Sequence, residues 1–535
     1  MKTMSDQNLN ELPSIVLSLY LLLLLVFGIQ GYRRRSDNNE VDYYLAGRGQ
    51  GWVVTSLTIM ATFFSSFALL GAPGMVYRDG VVFSLFSLNV PVAGVAIYLF
   101  GTRIRKIGKY YGYVTPADMI ANHYGSEIAL RLLVALVGLL YTVPYVVIQI
   151  QAGGIISQQL FPGNGNFEIG AVILASITML YIMVGGMRSV AWTDVVQGLL
   201  LVGGMFVAGI CVVTVLGGLG NFFSAVGHLP PKSLTIPGTT GYWTPSMLFT
   251  ASAFASLGSM IQPAQWMRFY AARSNSVLRQ SALIFSLVLT LCFFFGVMLV
   301  GIGGQVLYPL VDTNGFYQMN SNGSLLPNPA VGGSPSDFDQ ILVVVLKNHL
   351  PELLGQFGAL LAALILVAIM AAAMSTADSN LHALSALVTH DIYNQFIRPN
   401  ASESERAWVG RLIIALATLL ALGLVFLSRH SQANPLGMIV ALGLLAIAFS
   451  TQLLPITVDI LYLKVGTRQG AVAGLVTGII SILLLSPISP LTLYDSMDLT
   501  LGLLRRTVDI GTWGLILNCL VFITVSFINK RNPKA

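Results

Sequence analysis

Thirteen apolar runs of about twenty residues each, separated mostly by short polar connections, dominate this chain of 535 residues. A helix of about 20 residues crosses the hydrocarbon core of a bilayer, and backbone groups in lipid must find their hydrogen bonds inside the protein. The runs lie at about 13 to 33, 50 to 76, 80 to 101, 128 to 157, 168 to 184, 193 to 216, 246 to 270, 280 to 305, 354 to 379, 407 to 428, 436 to 463, 469 to 487 and 510 to 529, and are numbered here zero to twelve. The expected fold is an all-α polytopic membrane protein with about 13 transmembrane helices. Only 9% of the residues are charged, against about 25% in soluble proteins. The net charge of +6 does not point to nucleic acid, because the basic residues are scattered and no run exceeds Arg33-Arg34-Arg35. Cys211, Cys292 and Cys519 sit in apolar segments without metal-ligand spacing, and read as packing residues.

Charge asymmetry sets the expected orientation. Span zero follows Asp6 and Glu11 and precedes Arg33 to Arg35, the reverse of a signal peptide's order, so it is expected to be retained with its N-terminus outside. With thirteen spans, 21 of the 28 Lys and Arg residues fall on the inner side and 7 on the outer, as the positive-inside rule favours. A cell-membrane location with a cytoplasmic C-terminus follows. The connections at about 217 to 245 and 306 to 353 are long and outer; the second ends in an amphipathic piece, DFDQILVVVLKNHL, expected to be a surface helix. Asn322-Gly323-Ser324 matches a glycosylation sequon.

Three spans break their own apolar pattern. In span eight, Ala372, Ser375, Thr376 and Ser379 share one helical face, and clustered hydroxyls there suit a small hard cation. Span one carries Thr62, Ser65 and Ser66 followed by Gly71, Pro73 and Gly74; span six carries Ser256, Gly258, Ser259, Gln262 and Pro263. Interrupted helices in corresponding positions, five spans apart, point to an inverted-repeat transporter with its site at the midplane. The domain plan is one transmembrane unit: an extra helix at 13–33, repeats at 50–216 and 246–463, and two peripheral helices at 469–529. Asp194 opens span five and Asp378 lies deep in span eight, where a carboxylate needs a partner. His382, four residues on, is the simplest one, while Asp459 beside Lys464 reads as an interfacial ion pair. No nucleophile motif, GxxxxGK[ST] or HExxH is present, so neither an enzyme nor an ATP-driven pump is expected.

From about residue 40 to 480 the chain resembles the sodium:solute symporter family, the glucose, proline, pantothenate and iodide cotransporter group. The resemblance rests on DYYLAGRGQGW, FALLGAPGMVYRDG, GGMRSVAWTDVVQG, AAAMSTADSNLHALSALVTHDIY and GAVAGLVTG. It implies an amino-acid-transporter-type fold with two inverted five-helix repeats, no cofactor, and sodium as coupling ion. The family's main sodium site maps onto the carbonyls of Ala61, Phe64 and Ala372 and the hydroxyls of Ser375 and Thr376. A second site, for a cation or a proton, maps onto Asp194, Asp378 and Ser379; Asp378 stands where members with a second sodium tend to carry a small hydroxyl residue. The solute is expected among spans one, two, three, six and ten, near Ser65, Ser66, Ser87, Asn89, Gln149, Gln151, Ser259 and Gln262. Such a site is too poor in polar groups for a polyol, whereas half-helix N-termini suit a small carboxylate such as a monocarboxylate, amino acid or pantothenate-like acid. The alternatives are a sugar or other neutral solute, a membrane sensor on a transporter fold, and a channel. Expected partners are a small solute, sodium and the lipid bilayer.

Overall fold

The computed structural model of the protein describes residues 15–20, 22, 23, 26, 40–125, 128–160, 166–312, 314–321, 323–430, 439–486, 489 and 495–531. Most of span zero and Asn322 of the sequon lie outside these residues. Among the described residues the secondary structure is helical, with isolated bridges in place of any sheet. Eight helices are long and apolar enough to cross a membrane, or ten if each of two bent pairs counts as one span, and two shorter apolar helices accompany them. The protein is a multi-span membrane protein.

Span one is a bent pair, α1 (Trp52–Phe63) and α2 (Phe67–Asp79), turning through 60°. The helix stops because Phe64 is extended, with φ −92° and ψ 94°, and Phe64 and Ser65 bend the chain before it recoils at Ser66. Span two, α3 (Val81–Tyr111), continues ten residues past its apolar run as a basic segment. Span three is α4 (Ala129–Leu160). Spans four and five form one helical run, α5 (Phe167–Val215). Its 49 residues would extend about 73 Å at 1.5 Å per residue, more than twice a hydrocarbon core of about 30 Å.

Span six breaks at Gln262, whose extended backbone separates α6 (Pro245–Ile261) from α7 (Pro263–Ala271). Pro263 begins α7, where its missing N–H costs nothing, and the Gln262 side chain accepts from the Ala264 N–H at 2.8 Å. Span seven is α8 (Asn275–Leu307). Span eight belongs to α9 (Ile341–Ala386), which is interrupted at Gly355, where φ is +57°. The segment before that break is not the expected surface helix. Ile341 to Leu346 are all buried, and Ile341 packs where a side chain at Gly304 of α8 would stand. Span nine is α10 (Glu403–His430). Span ten is unexpectedly bent by 42° between α11 (Ile439–Thr451) and α12 (Leu454–Leu463). Spans eleven and twelve are α13 (Arg468–Leu485) and α14 (Ile510–Arg531).

The expected Asp459–Lys464 pair is replaced by a different arrangement. The Asp459 carboxylate accepts from the Tyr124 hydroxyl and from the Val465 and Gly466 N–H groups, at 2.8, 2.8 and 2.9 Å, while Lys464 takes a left-handed conformation that ends the helix.

Small residues let the broken helices touch α11. A Cβ on Gly71 of α2 would lie 2.9 Å from a Val440 methyl, and one on Gly258 of α6 would lie 2.1 Å from the Thr451 hydroxyl. Ser450 also donates to the Gly258 carbonyl at 3.0 Å. Gly258→Ala is therefore expected to destabilise the protein by about 1–3 kcal/mol through overpacking, with Thr451→Ala in the same chain restoring part of the loss. Thermal unfolding in detergent checks this; an unchanged midpoint in Gly258→Ala would contradict the contact.

Candidate functional site

The break in α1/α2 exposes carbonyls that helix geometry would otherwise use, and α9 brings hydroxyls to them. Thr376 donates to the Ala61 carbonyl at 2.9 Å; Ser375 lies 3.4 Å from that oxygen and donates to the Ala372 carbonyl at 2.9 Å. Ser375, Thr376, Ala61, Ala372 and Phe64 are all buried. Oxygens about 3–3.5 Å apart are the spacing a hard cation meets when it binds each at about 2.4 Å. The hydroxyls need only rotate to turn lone pairs toward such an ion. Four of the five oxygens mapped by resemblance are thus brought together; Phe64 adds the extended backbone beside them.

One turn further along both helices lies a buried charge cluster. Asp194 of α5 accepts from the Thr58 hydroxyl and from Arg268 at 3.3 Å. Arg268 of α7 also donates to the Thr58 carbonyl at 3.2 Å and to the Ser379 hydroxyl. Ser379 in turn donates to the Ser375 carbonyl at 2.6 Å and lies 3.0 Å from an Asp378 oxygen, and Thr62 approaches it at 3.3 Å. Tyr181 of α5 donates to the other Asp378 oxygen. His382 packs between the rings of Tyr43 and Tyr44, with centroids 5.3 and 5.2 Å away. The structure therefore joins Asp194 to Ser379, and through Ser379 to Asp378, by the guanidinium of Arg268, one of the residues counted above on the inner side. Arg268 is fully buried, and removing it from that count leaves 20 inner charges against 7. Its signal in the sequence is indirect: a buried Asp194 demands a cation, and Arg268 follows the span-six break by six residues.

A narrow cavity of about 20 Å³ lies beside the two breaks, room for about one water. Of the residues expected near a solute, Asn89, Ser259 and Gln262 line it. The Asn89 side-chain oxygen is buried and has no hydrogen-bond partner among the described residues. Ser65 reaches its wall only through the Tyr145 hydroxyl, 3.3 Å away. Ser66 and Gln149 bond to each other behind the break, at 2.7 Å from the hydroxyl and 3.2 Å from the Ser66 N–H. Ser87 is half-buried and outside the cavity, and Gln151 lines a different pocket. Much of the remaining wall is aromatic: Tyr141 and Tyr145, stacked 5.1 Å apart, with Phe67, Phe86 and Phe293. These rings sit in apolar runs and gave no separate signal.

The model of the sodium:solute symporter family matches residues 43–478. The chain belongs to the sodium:solute symporter family. The sodium/proline symporter of Escherichia coli (strain K12) is 26% identical over 487 residues, 90% of this chain and 89% of that protein. The sodium/pantothenate symporter of the same organism is 26% identical over 475 residues, 87% of this chain and 89% of its own. Among solved structures, a Na+-coupled sialic acid symporter in a substrate-bound outward-open state has a TM-score of 0.73 at 19% identity, covering 97% of this chain and 98% of its own. That likeness supports the transporter fold.

The family member described here rests on a buried ion pair, and such pairs are asymmetric: removing one partner costs far more than removing both. Arg268→Gln is expected to destabilise by about 3–5 kcal/mol, and Arg268→Gln with Asp194→Asn by clearly less. A double-mutant cycle on thermal unfolding measures the coupling; additive losses would show that the two side chains do not interact.

Proposed function

We propose that the protein is a sodium-coupled symporter that imports a small organic carboxylate, of the amino-acid class, by alternating access. The observation that carries the reading is the convergence of the Ser375 and Thr376 hydroxyls on the Ala61 carbonyl at a break in a membrane helix. Buried oxygens of this kind suit a monovalent cation, which enters as cargo rather than as a resident cofactor.

The solute reading rests on the other side of the same break. The Ser66 N–H, at the start of α2, is held by the neutral oxygen of Gln149, and the Phe67 N–H by the Ser65 hydroxyl at 3.2 Å. A carboxylate binds such a helix start more strongly than a neutral oxygen does. Across the cavity, the unpartnered Asn89 oxygen takes a hydrogen from a solute amine. A cavity of about 20 Å³ walled largely by aromatic rings offers a sugar few hydrogen-bond partners. The proline and pantothenate symporters among its relatives both carry carboxylates. Arg268 compensates one of the two carboxylates near it, and Asp378 then holds either a second cation or a proton.

One set of uptake measurements in proteoliposomes tests these roles. Ser375→Ala with Thr376→Ala is expected to raise the sodium concentration for half-maximal uptake at least about tenfold, the loss expected for two ligand oxygens. Asp378→Asn is expected to turn a cooperative sodium response hyperbolic if a second cation sits there, or to flatten the pH dependence of uptake if a proton does. Unchanged sodium dependence in the folded double variant would remove the sodium site, and flux without sodium dependence would favour a channel.

We also propose that the segment at 306–353 faces outside and the C-terminus faces the cytoplasm, on the excess of inner Lys and Arg. Ser321 and Ser402 are both exposed, on opposite sides in this orientation. In a chain lacking native cysteines, Ser321→Cys is expected to react with an impermeant reagent in intact cells, and Ser402→Cys only after permeabilisation. Equal reaction of both would contradict the orientation.

A further inference from the structure

Three stretches far apart in the chain meet at the inner end of α3, and each is basic with no exposed acid to answer it. Residues 81–117 and 245–311 contain no Asp or Glu, and residues 452–494 contain only Asp459, which is buried and already holds the Tyr124 hydroxyl and two N–H groups. Arg105 of α3 joins the first two stretches, donating to the Ala272 carbonyl at 2.7 Å and to Asn275 at 3.1 Å. Arg103 joins the first to the third, donating to the Leu461 carbonyl at 2.7 Å. Around these struts Arg103, Lys106, Lys109, Arg279 and Lys464 are exposed, and none of them forms an ion pair among the described residues. Like charges gathered in this way repel one another until a multivalent anion or an anionic surface meets them.

Two of the charges lie against rings on the lipid-facing surface. The Arg279 guanidinium is 5.6 Å from the centre of the Tyr98 ring and that of Arg103 is 3.9 Å from the centre of the Tyr462 ring, and the two tyrosines are 47% and 38% exposed. The Tyr462 hydroxyl donates to the Leu99 carbonyl at 3.0 Å, so both rings flank one turn of α3. Arg103 follows Val81, the first residue of α3, by 22 positions, which is about 33 Å along a helix axis and matches a hydrocarbon core of about 30 Å. Cations over tyrosines at that depth stand among phospholipid headgroups. A zwitterionic lipid carries its own cation beside its phosphate, whereas an anionic one does not, and a basic surface separates the two by charge.

We propose that this surface is a binding site for an anionic phospholipid of the cytoplasmic leaflet, its phosphate met by Arg103 and Arg279 and its surplus negative charge by Lys106 and Lys464. The lipid then ties α3 to α8 and α12. The leaflet follows from the orientation proposed above, while the binding itself depends neither on that orientation nor on the transported solute.

The full-length protein in detergent is titrated with dioleoylphosphatidylglycerol, and with dioleoylphosphatidylcholine as the zwitterionic control, and bound lipid is counted by native mass spectrometry. Tighter retention of phosphatidylglycerol is expected. A basic side chain at an anionic headgroup is worth about a fivefold change in affinity, so Arg103→Gln with Arg279→Gln should weaken phosphatidylglycerol binding about 25-fold and leave phosphatidylcholine unchanged. Lys106→Gln with Lys464→Gln, at two exposed positions, should do the same and serves where loss of the Leu461 contact unfolds the first pair. Lys232→Gln with Arg506→Gln removes equal charge from exposed positions elsewhere and is expected to change nothing. Equal retention of the two lipids, phosphatidylglycerol affinity unmoved in both inner pairs, or an equal loss in the Lys232 and Arg506 pair would overturn the site.

Discussion

Arg268 is the point on which four membrane helices depend. Burying a guanidinium in a bilayer-spanning protein is tolerable only when every side of it meets an acceptor. Here the acceptors come from the Thr58 carbonyl of α1, Asp194 of α5, Ser379 of α9 and the Ala264 carbonyl of its own helix. α7 can present the group because span six is broken at Gln262, which frees α7 to leave the line of α6. The broken helix and the buried charge therefore require each other.

The same economy appears at span one. A helix interrupted in lipid leaves carbonyl and N–H groups without partners, and each must be satisfied inside the protein. The carbonyl of Ala61 is met by Ser375 and Thr376, the N–H of Ser66 by Gln149, and the N–H of Phe67 by Ser65. Every one of these partners is a neutral oxygen that can exchange its hydrogen bond for an ion or a carboxylate. The groups that satisfy the broken helix are also the ones that the proposed cation and solute would engage.

Much of this was legible in the residues, because local chemistry announces itself. Ser, Gly and Pro inside spans one and six mark breaks, and the hydroxyl face of span eight marks a polar partner. What was not legible depends on distance in the chain. Arg268 follows an apolar run and looks like a flanking loop charge; only Asp194, 74 residues earlier in the chain, shows it to be buried. The bend in span ten falls at Gln452 and Leu453, within a run that periodicity reads as continuous, with Pro455 the sole local hint. The aromatic wall of the cavity is indistinguishable in sequence from lipid-facing or core residues, since Tyr141, Tyr145 and Phe293 lie in ordinary apolar stretches. Asp459 looked paired to its neighbour Lys464, but a nearby charge is a weaker claim on a buried carboxylate than two backbone N–H groups and a tyrosine.

The sodium-site oxygens and the Arg268 cluster lie on the same two helices, one turn apart. Ala61 and Thr58 belong to α1, Ser375 and Ser379 to α9, and Thr62 approaches Ser379 between them. Any motion that parts α1 from α9 breaks both sets together. A cation bound at Ala61, Ser375 and Thr376 therefore favours the arrangement in which Arg268 bridges Thr58, Asp194 and Ser379. To move such an equilibrium from 1:99 to 99:1, the ion must prefer that arrangement by about 10⁴-fold. In the proposed site, two hydroxyls of α9 that meet the Ala61 carbonyl only while α1 and α9 are in contact can provide that difference, because separating the helices splits the shell rather than loosening one ligand. Residues of α1 and α2, Thr62 and Phe67 among them, also line the central cavity. If the proposed cation and solute bind at these groups, the position of one broken helix couples them.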